Sequence, residues 1–404
     1  MAWIVTPALV IAAVLATATT YALAHAGSGA RAAGGLDAQR AALAGHATGT
    51  APLRVLSVSP APGTRRADGS EPVVVTFSAP LAAGSPVPGL KPAVRGSWHQ
   101  AGASLSFRPA AGFGPSHRFT VRVPAGPDGV RSAAGATLAR PVVAAFRTRA
   151  WSTRRLTELL AQLHYLPLSW RPVSAGTGTG PAGTGATGTG AAGTGAAGTG
   201  TSGAGIAAQI AAAYSPPAGT FRWHHGYPAA LRSHWKPARP SLILHGAVMA
   251  FESQHGMTMN GIAGPAVWSA VFRAARGGRA NPSGYTYALA SKADPETLTI
   301  WHDGRVVLRS AANTGIPVAP TADGTFPVYL RYRFQIMRGL NPDGSSYADP
   351  VSYVSYFHGG EAVHYFPRGS YGFPQSLGCV ELPIGAAAQA WPYLTYGSLV
   401  TVAG

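Results

Sequence analysis

The sequence predicts a multidomain, mainly β protein, and three observations carry that expectation. A chain of 404 residues exceeds one compact core at the usual ~100 to 200 residues per domain. Short alternating β-rich runs, punctuated by Pro and Gly, recur in both the first and the last third of the chain. Helical periodicity is concentrated in a middle stretch, next to a Gly/Thr/Ala repeat that has no capacity to bury a core.

The chain opens MAWIVTPALVIAAVLATATTYALAHAG, uncharged from Met1 to Ala26 and long enough to span a bilayer as a helix. Residues 1–26 therefore read as a signal peptide or a membrane anchor, with a buried core helix as the remaining option. Ala24, His25 and Ala26 offer a small-residue cleavage pattern, although the basic n-region that usually precedes one is missing. Either export route takes the rest of the chain out of the cytoplasm, and the membrane is expected to be a partner only through this segment. Residues 27–51, rich in Ala and Gly, suit a flexible linker.

In residues 52–150 the runs LRVLSVSP, PVVVTFSAP, ASLSFRP, HRFTVRVP and VVAAFRT alternate at fairly even spacing, the pattern of a small antiparallel sandwich. Val73, Val75 and Phe77 are expected to share one face, as are Phe119, Val121 and Val123, because side chains alternate along a strand. The stretch resembles bacterial Ig-like domains, including its VxxxxP opening and a turn at Gly96–Trp98. It carries no catalytic constellation and reads as a spacer or binding module.

Residues 153–277 bring helices. TRRLTELLAQLHYLPL places Leu156, Leu159, Leu160 and Leu163 on one face before a Tyr and a Pro stop. The repeat-rich residues 174–218 read as a disordered insertion. Beyond it, LILHGAVMAFESQHGMTMNGIAGPAVWSAVFRAA predicts a helix, a turn at Asn260 and Gly261, and a second helix from Pro265. Phe251, Gln254, His255, Gly256, Asn260, Gly261 and Gly264 give this stretch a resemblance to a small α-helical peptidoglycan-binding-like domain. Phe251, Val267 and Trp268 also suit a core. His224 and His225 are adjacent and point to different sides of any regular element, so they are not expected to form a metal pair.

Residues 285–404 return to β-rich patterning, with a hairpin signal at Asp303 and Gly304 and one short helical stretch, IGAAAQAW, after Pro383. The single cysteine, Cys379, excludes an intramolecular disulfide and a cysteine-rich zinc cluster, so the thiol is either a buried small hydrophobe or a reagent. Its setting, SYFHGGEAVHYFPRGSYGFPQSLGCVELP, puts His364 fifteen residues upstream. An ordinary thiol with a pKa of ~8.5 is mostly protonated at neutral pH, and an imidazole nearby can hold it as a thiolate–imidazolium pair. Gly378 permits a tight turn in which the amides of Leu377, Gly378 and Cys379 converge on a developing oxyanion.

This segment resembles the active-site signature of the L,D-transpeptidases through Gly359, Gly360, Ala362, His364, Pro374, Ser376, Gly378, Cys379, Val380 and Pro383. The upstream run TGIPVAPTADGTF matches at Thr314, Gly315, Pro320, Thr321, Gly324 and Phe326. The resemblance implies a β-rich catalytic domain in which Cys379 is the nucleophile, His364 its base and the carbonyl of Tyr365 the group that fixes the imidazole tautomer. It implies substrate contacts around Tyr356, His358, Gly359, Gly360, Ser376 and Glu381, and no metal or organic cofactor. Phe357, Phe366, Tyr371 and Phe373 are further candidates to line the cleft. Three positions depart from the family pattern: Leu377 and Glu381 replace a His and an Arg or Asn, and His358 replaces Asn and offers a rival base.

The implied activity is formation of 3-3 peptidoglycan crosslinks through a cysteine thioacyl-enzyme. Its partners are peptidoglycan stem peptides, with carbapenem-type β-lactams as inhibitors. An L,D-carboxypeptidase and a catalytically silent peptidoglycan-binding scaffold are the alternatives. The net charge of +17 favours polyanions, anionic wall polymers among them. No dense basic run interleaved with aromatics is present, so nucleic acid is not an expected partner.

Overall fold

The structure, a computed structural model, describes residues 51–173 and 201–404. The proposed leader, nearly all of the linker that follows it and residues 174–200 of the proposed insertion lie outside the described residues. The described residues are mainly β: a sandwich, then a stretch that carries most of the helices, then two further stacked sheets.

The first module is a sandwich of two antiparallel sheets. Strands β1 (Val55–Ser59), β2 (Val73–Phe77), β3 (Gly89–Lys91), β4 (Gly96–Ala101), β5 (Ser104–Pro109), β6 (Arg118–Val123) and β7 (Val142–Arg147) assemble in the orders β1-β2-β5-β4 and β3-β6-β7. Val73, Val75 and Phe77 face Phe119, Val121 and Val123 across one core, and all six are buried. Period-two alternation accounts for this pairing of faces. Gly96 to Trp98, expected as a turn, instead begins β4, where Trp98 pairs with Phe107 and packs against its ring at 5.3 Å.

The middle stretch contains α1 (Thr153–Gln162), β8 (Leu168–Pro172), α2 (Thr201–Tyr214), β9 (Gly219–Trp223), α3 (Ala229–Arg232), α4 (Leu242–Gln254) and α5 (Pro265–Arg276). Ser241 caps α4 by accepting from the Leu244 amide at 3.2 Å, and Pro265 occupies the first turn of α5, where its missing N–H costs nothing. Part of the expected disordered insertion is ordered. Residues Thr201–Tyr214 form a helix, because Ile210, Ala213 and Tyr214 recur at helical spacing and reach a buried core. Tyr214 Oη also donates to the Phe113 carbonyl of the sandwich at 2.9 Å.

The helices do not close a core of their own. Their cluster includes Tyr285, Tyr287 and Leu399 from the C-terminal sheet, so they form a layer on that sheet rather than a self-contained domain ending at residue 277. Close backbone approach fixes the seam: a Cβ on Gly304 would fall 2.0 Å from the His225 carbonyl oxygen.

The C-terminal domain stacks two sheets. One runs β12-β11-β10-β18-β13, from β10 (Thr286–Ser291), β11 (Thr297–His302), β12 (Arg305–Ala311), β13 (Gly324–Pro327) and the last strand, β18 (Leu399–Ala403). The other runs β14-β15-β16-β17, from β14 (Leu330–Leu340), β15 (Ser346–His358), β16 (Glu361–Tyr365) and β17 (Val380–Leu382), with α6 (Ile384–Ala390) beside it. The hairpin signal at Asp303 and Gly304 is realised as a two-residue turn between His302 and Arg305, both turn residues having positive φ, 47° and 79°. Parallel pairing of Tyr287 with Leu399 and Ala288 with Val400 divides the sheet's faces, the first pair turning to the helices and the second to the inter-sheet core. That core also takes Val363, Val380 and Leu382.

Candidate active site

The register of β16 and β17 builds the site. The strands are parallel and pair Val363 with Val380, His364 with Glu381 and Tyr365 with Leu382. Since Val363, Val380 and Leu382 enter the core, alternation turns Ala362, His364, Cys379 and Glu381 to the opposite face. There Cys379 and His364 open onto one cavity of about 510 Å³, roofed by the β14–β15 hairpin through Met337, Tyr347 and Tyr356. That size suits a small peptide.

Cys379 follows a turn held by its own neighbours. Ser376 Oγ donates to the Cys379 carbonyl at 2.6 Å and accepts from the Gly378 amide at 3.2 Å, and Gly378 has φ of +112°, a region costly for residues with a side chain. Two expectations are corrected here. Ser376 is a buried brace of the turn rather than a substrate contact, and the Gly378 amide is already engaged rather than free for an oxyanion.

The turn is suspended from the 313–321 run. The Thr314 carbonyl accepts from the amides of Gln375 and Ser376, each at 3.0 Å, and the Ile316 amide donates to Ser376 at 2.9 Å. Thr314 in turn donates its amide and hydroxyl to the two oxygens of Glu296, both at 2.6 Å, and Glu296 is 2% exposed. Glu296 escaped the sequence reading, because an isolated acid after a Pro gives no periodic or motif signal.

His364 is buried, and its Nδ1 lies 3.0 Å from the Tyr365 carbonyl oxygen. A donor at Nδ1 leaves Nε2 as the basic nitrogen. The Tyr365 side chain packs on the core face. Cys379 is 9% exposed, and its Sγ contacts Met337 Sδ and the Gly360 carbonyl, each at 3.9 Å. Burial pushes the thiol up to about 12; a hydrogen bond from the Ala362 backbone works against that rise, and the charges of Glu381 and Glu361 add to it. Burial holds His364 below its usual value, opposed by the Tyr365 carbonyl and by Glu381. Burial therefore favours the neutral form of both groups, against the thiolate–imidazolium pair expected from the sequence.

Glu381 lines the same cavity, held there by an ion pair. It is 4% exposed, and Arg368 grips both of its oxygens, Nε to Oε2 and Nη2 to Oε1 at 2.8 Å each. The guanidinium also donates to the Gln375 carbonyl at 3.0 Å and lies 4.7 Å from the Phe366 ring centroid. The sign change at position 381 is thus offset by an arginine thirteen residues upstream.

His358 is placed away from the sulfur's cavity, at the end of the β15–β16 hairpin, 3.4 Å from Glu361 and against the Phe326 ring. It is not a rival base there. Gly359 and Gly360 form the hairpin turn; Gly360 presents its carbonyl to the sulfur, and Gly359 accepts from the Tyr329 hydroxyl. Tyr356 and Phe366 line the cavity, whereas Phe357 is core. Gln335, Met337, Tyr347 and Asp349 line it too through the pairing of two long strands, and Arg368 reaches it from the loop after β16 through its bonds to Glu381 and the Gln375 carbonyl; none of the five carries a signal in the sequence.

Residues 285–402 match the family model of the L,D-transpeptidase catalytic domain, and residues 49–148 that of the bacterial Ig-like domain. Among solved structures, the L,D-transpeptidase from Mycobacterium smegmatis is 14% identical over 87% of this chain and 99% of its own, with a TM-score of 0.27. L,D-transpeptidase 3 from Mycobacterium tuberculosis, in complex with a faropenem-derived adduct, is 15% identical over 87% and 98%, at 0.28. The catalytic domain from the E. faecium enzyme acylated by ertapenem is 26% identical over 29% of this chain and 96% of its own, at 0.27. No match was found among curated proteins.

Proposed function

We propose that the C-terminal domain is an L,D-transpeptidase acting outside the cytoplasm on peptidoglycan stem peptides, with Cys379 as nucleophile and His364 as base. The observation that carries this reading is that Cys379 and the buried imidazole, whose Nδ1 lies against the Tyr365 carbonyl, share one strand face and one cavity.

Because burial favours the neutral form of both groups, the proton moves with the attack rather than before it. His364 Nε2 takes the thiol proton as Sγ bonds to the carbonyl carbon of the diamino acid in a donor tetrapeptide. The resulting oxyanion meets the amides of Leu377 and Cys379, worth ~3 kcal/mol for each well-placed donor. The C–N bond to the terminal D-alanine then breaks, and the imidazolium returns the proton to the departing amine. The side-chain amine of an acceptor stem attacks the thioester, releasing the thiol and leaving a 3-3 crosslink; water in its place gives the carboxypeptidase. Carbapenem-type β-lactams acylate the same sulfur.

The raised thiol pKa is the observation that favours the silent wall-binding scaffold, on which the helical layer would act as a peptidoglycan-binding-like module. Incubation with disaccharide-tetrapeptide decides the matter. Dimer with loss of D-alanine, absent in Cys379→Ala, supports transfer; tripeptide alone identifies hydrolysis; unchanged substrate leaves the scaffold.

A further inference from the structure

The Ig-like module holds an unexplained concentration of charge. Residues 52–150 contain twelve Lys and Arg against three Asp and Glu, nine of the chain's seventeen net positive charges. Eleven of the twelve are arginine. On the outer face of the three-stranded sheet, Arg118 stands directly opposite Arg147, both exposed, with Arg122 further along β6 and Lys91 on β3 beside Thr120. Like charges directly opposite on paired strands repel, and nothing in the sandwich core requires them there.

The strip continues into a cleft. Residues 63–67 run beside β7, where the Arg147 amide donates to the Thr64 carbonyl at 2.7 Å and the Ala67 amide to the Arg147 carbonyl at 2.9 Å. This brings Arg65, Arg66, Arg147 and Arg149 around one cavity of about 400 Å³ together with Ser116 and Ser152. No carboxylate lines it, and among the described residues only Arg149 of the four is ion-paired, to Asp68 at 2.5 Å.

We infer that this strip and cleft bind a linear phosphodiester polyanion of the cell envelope. Guanidinium forks match phosphate oxygens two at a time, which suits a set that is almost entirely arginine. From Arg118 to Arg122 the strip runs about 14 Å, longer than one phosphate, so the occupant is a chain rather than a single anion. A polymer can enter the concave end of the strip, which a flat bilayer cannot. Of the exposed large apolar side chains, the strands of this face contribute Val143 alone, too little to insert into lipid. The site does not depend on the catalytic reading.

The test titrates the full chain with fluorescent poly(glycerol phosphate) at several salt concentrations. The triple variant R65Q/R66Q/R147Q weakens binding at least about tenfold and lowers the salt slope by about 2. The charge-matched R54Q/R95Q/R108Q, on exposed residues away from the strip, changes affinity less than about twofold. Circular dichroism checks folding, and K91Q/R118Q/R122Q repeats the test on the strip should the first triple misfold. Equal losses in both charge-matched triples, binding of polygalacturonate as tight as that of the phosphate polymer, or tighter capture by phosphatidylglycerol vesicles would each overturn the inference.

Discussion

Replacing Arg368 by Gln removes both hydrogen bonds to Glu381, whose side chain is 6% exposed against 28% for the arginine. The carboxylate then keeps only Asn313 Nδ2 at 3.5 Å. Breaking a buried pair from one side costs ~3–5 kcal/mol because the remaining charge stays desolvated. The partly open guanidinium puts the expectation at the lower end, about 3 kcal/mol. Glu381→Gln in the Arg368→Gln background removes the orphaned charge and restores about 2 kcal/mol, a coupling that independent sites would not show. Urea unfolding of the four proteins in the cycle, compared at constant m, measures it. The same change has a second readout. Glu381 pairs with His364 across the strands and raises its pKa, while Arg368 lowers it. Losing Arg368 moves the imidazole pKa up, so the acid limb of kcat/KM shifts to higher pH. A loss under about 1 kcal/mol, or a double variant no more stable than Arg368→Gln alone, refutes the reasoning.

Three further outcomes follow from the same geometry. With the thiol pKa at about 12, iodoacetamide labels Cys379 slowly at pH 7, and the rate rises about tenfold per pH unit on the way up; mass spectrometry showing a plateau by pH 8 contradicts the burial argument. Glu296→Gln leaves one of the two Thr314 bonds with an unsuitable partner, lowers stability by about 1–3 kcal/mol and reduces turnover by loosening the 376–379 turn; turnover equal to wild type counts against suspension of the turn from that run. Gly304→Ala places a Cβ 2.0 Å from the His225 carbonyl oxygen at a φ of +79°, and so destabilises by at least about 2 kcal/mol; a near-neutral unfolding midpoint rules out the close seam.

Local chemistry made much of this protein legible in its sequence. Val73, Val75, Phe77, Phe119, Val121 and Val123 declared their faces by alternation, and Asp303-Gly304 announced its hairpin, because both signals depend on neighbours along the chain. Cys379 and His364 were marked by motif, and the parallel register of β16 and β17 is what puts them on one face. What stayed hidden depended on distant partners. Nothing in the vicinity of Glu381 says that Arg368 folds back onto it, and the bracing role of Ser376 is equally hidden because its bond to the Cys379 carbonyl exists only once the turn has closed. The thiol's neutrality is also a tertiary property: it arises from burial under the β14–β15 hairpin, which no local window reveals. The helix at Thr201–Tyr214 was masked by the Gly-rich composition before it, although Ile210, Ala213 and Tyr214 carry a short helical stripe.

Intact-mass spectrometry of the purified chain after exposure to a carbapenem tests the central proposal most directly. The account predicts one covalent adduct, mapped to Cys379, lost in Cys379→Ala and formed far more slowly in His364→Ala. Unchanged mass in a correctly folded protein, or an adduct that survives Cys379→Ala, contradicts it.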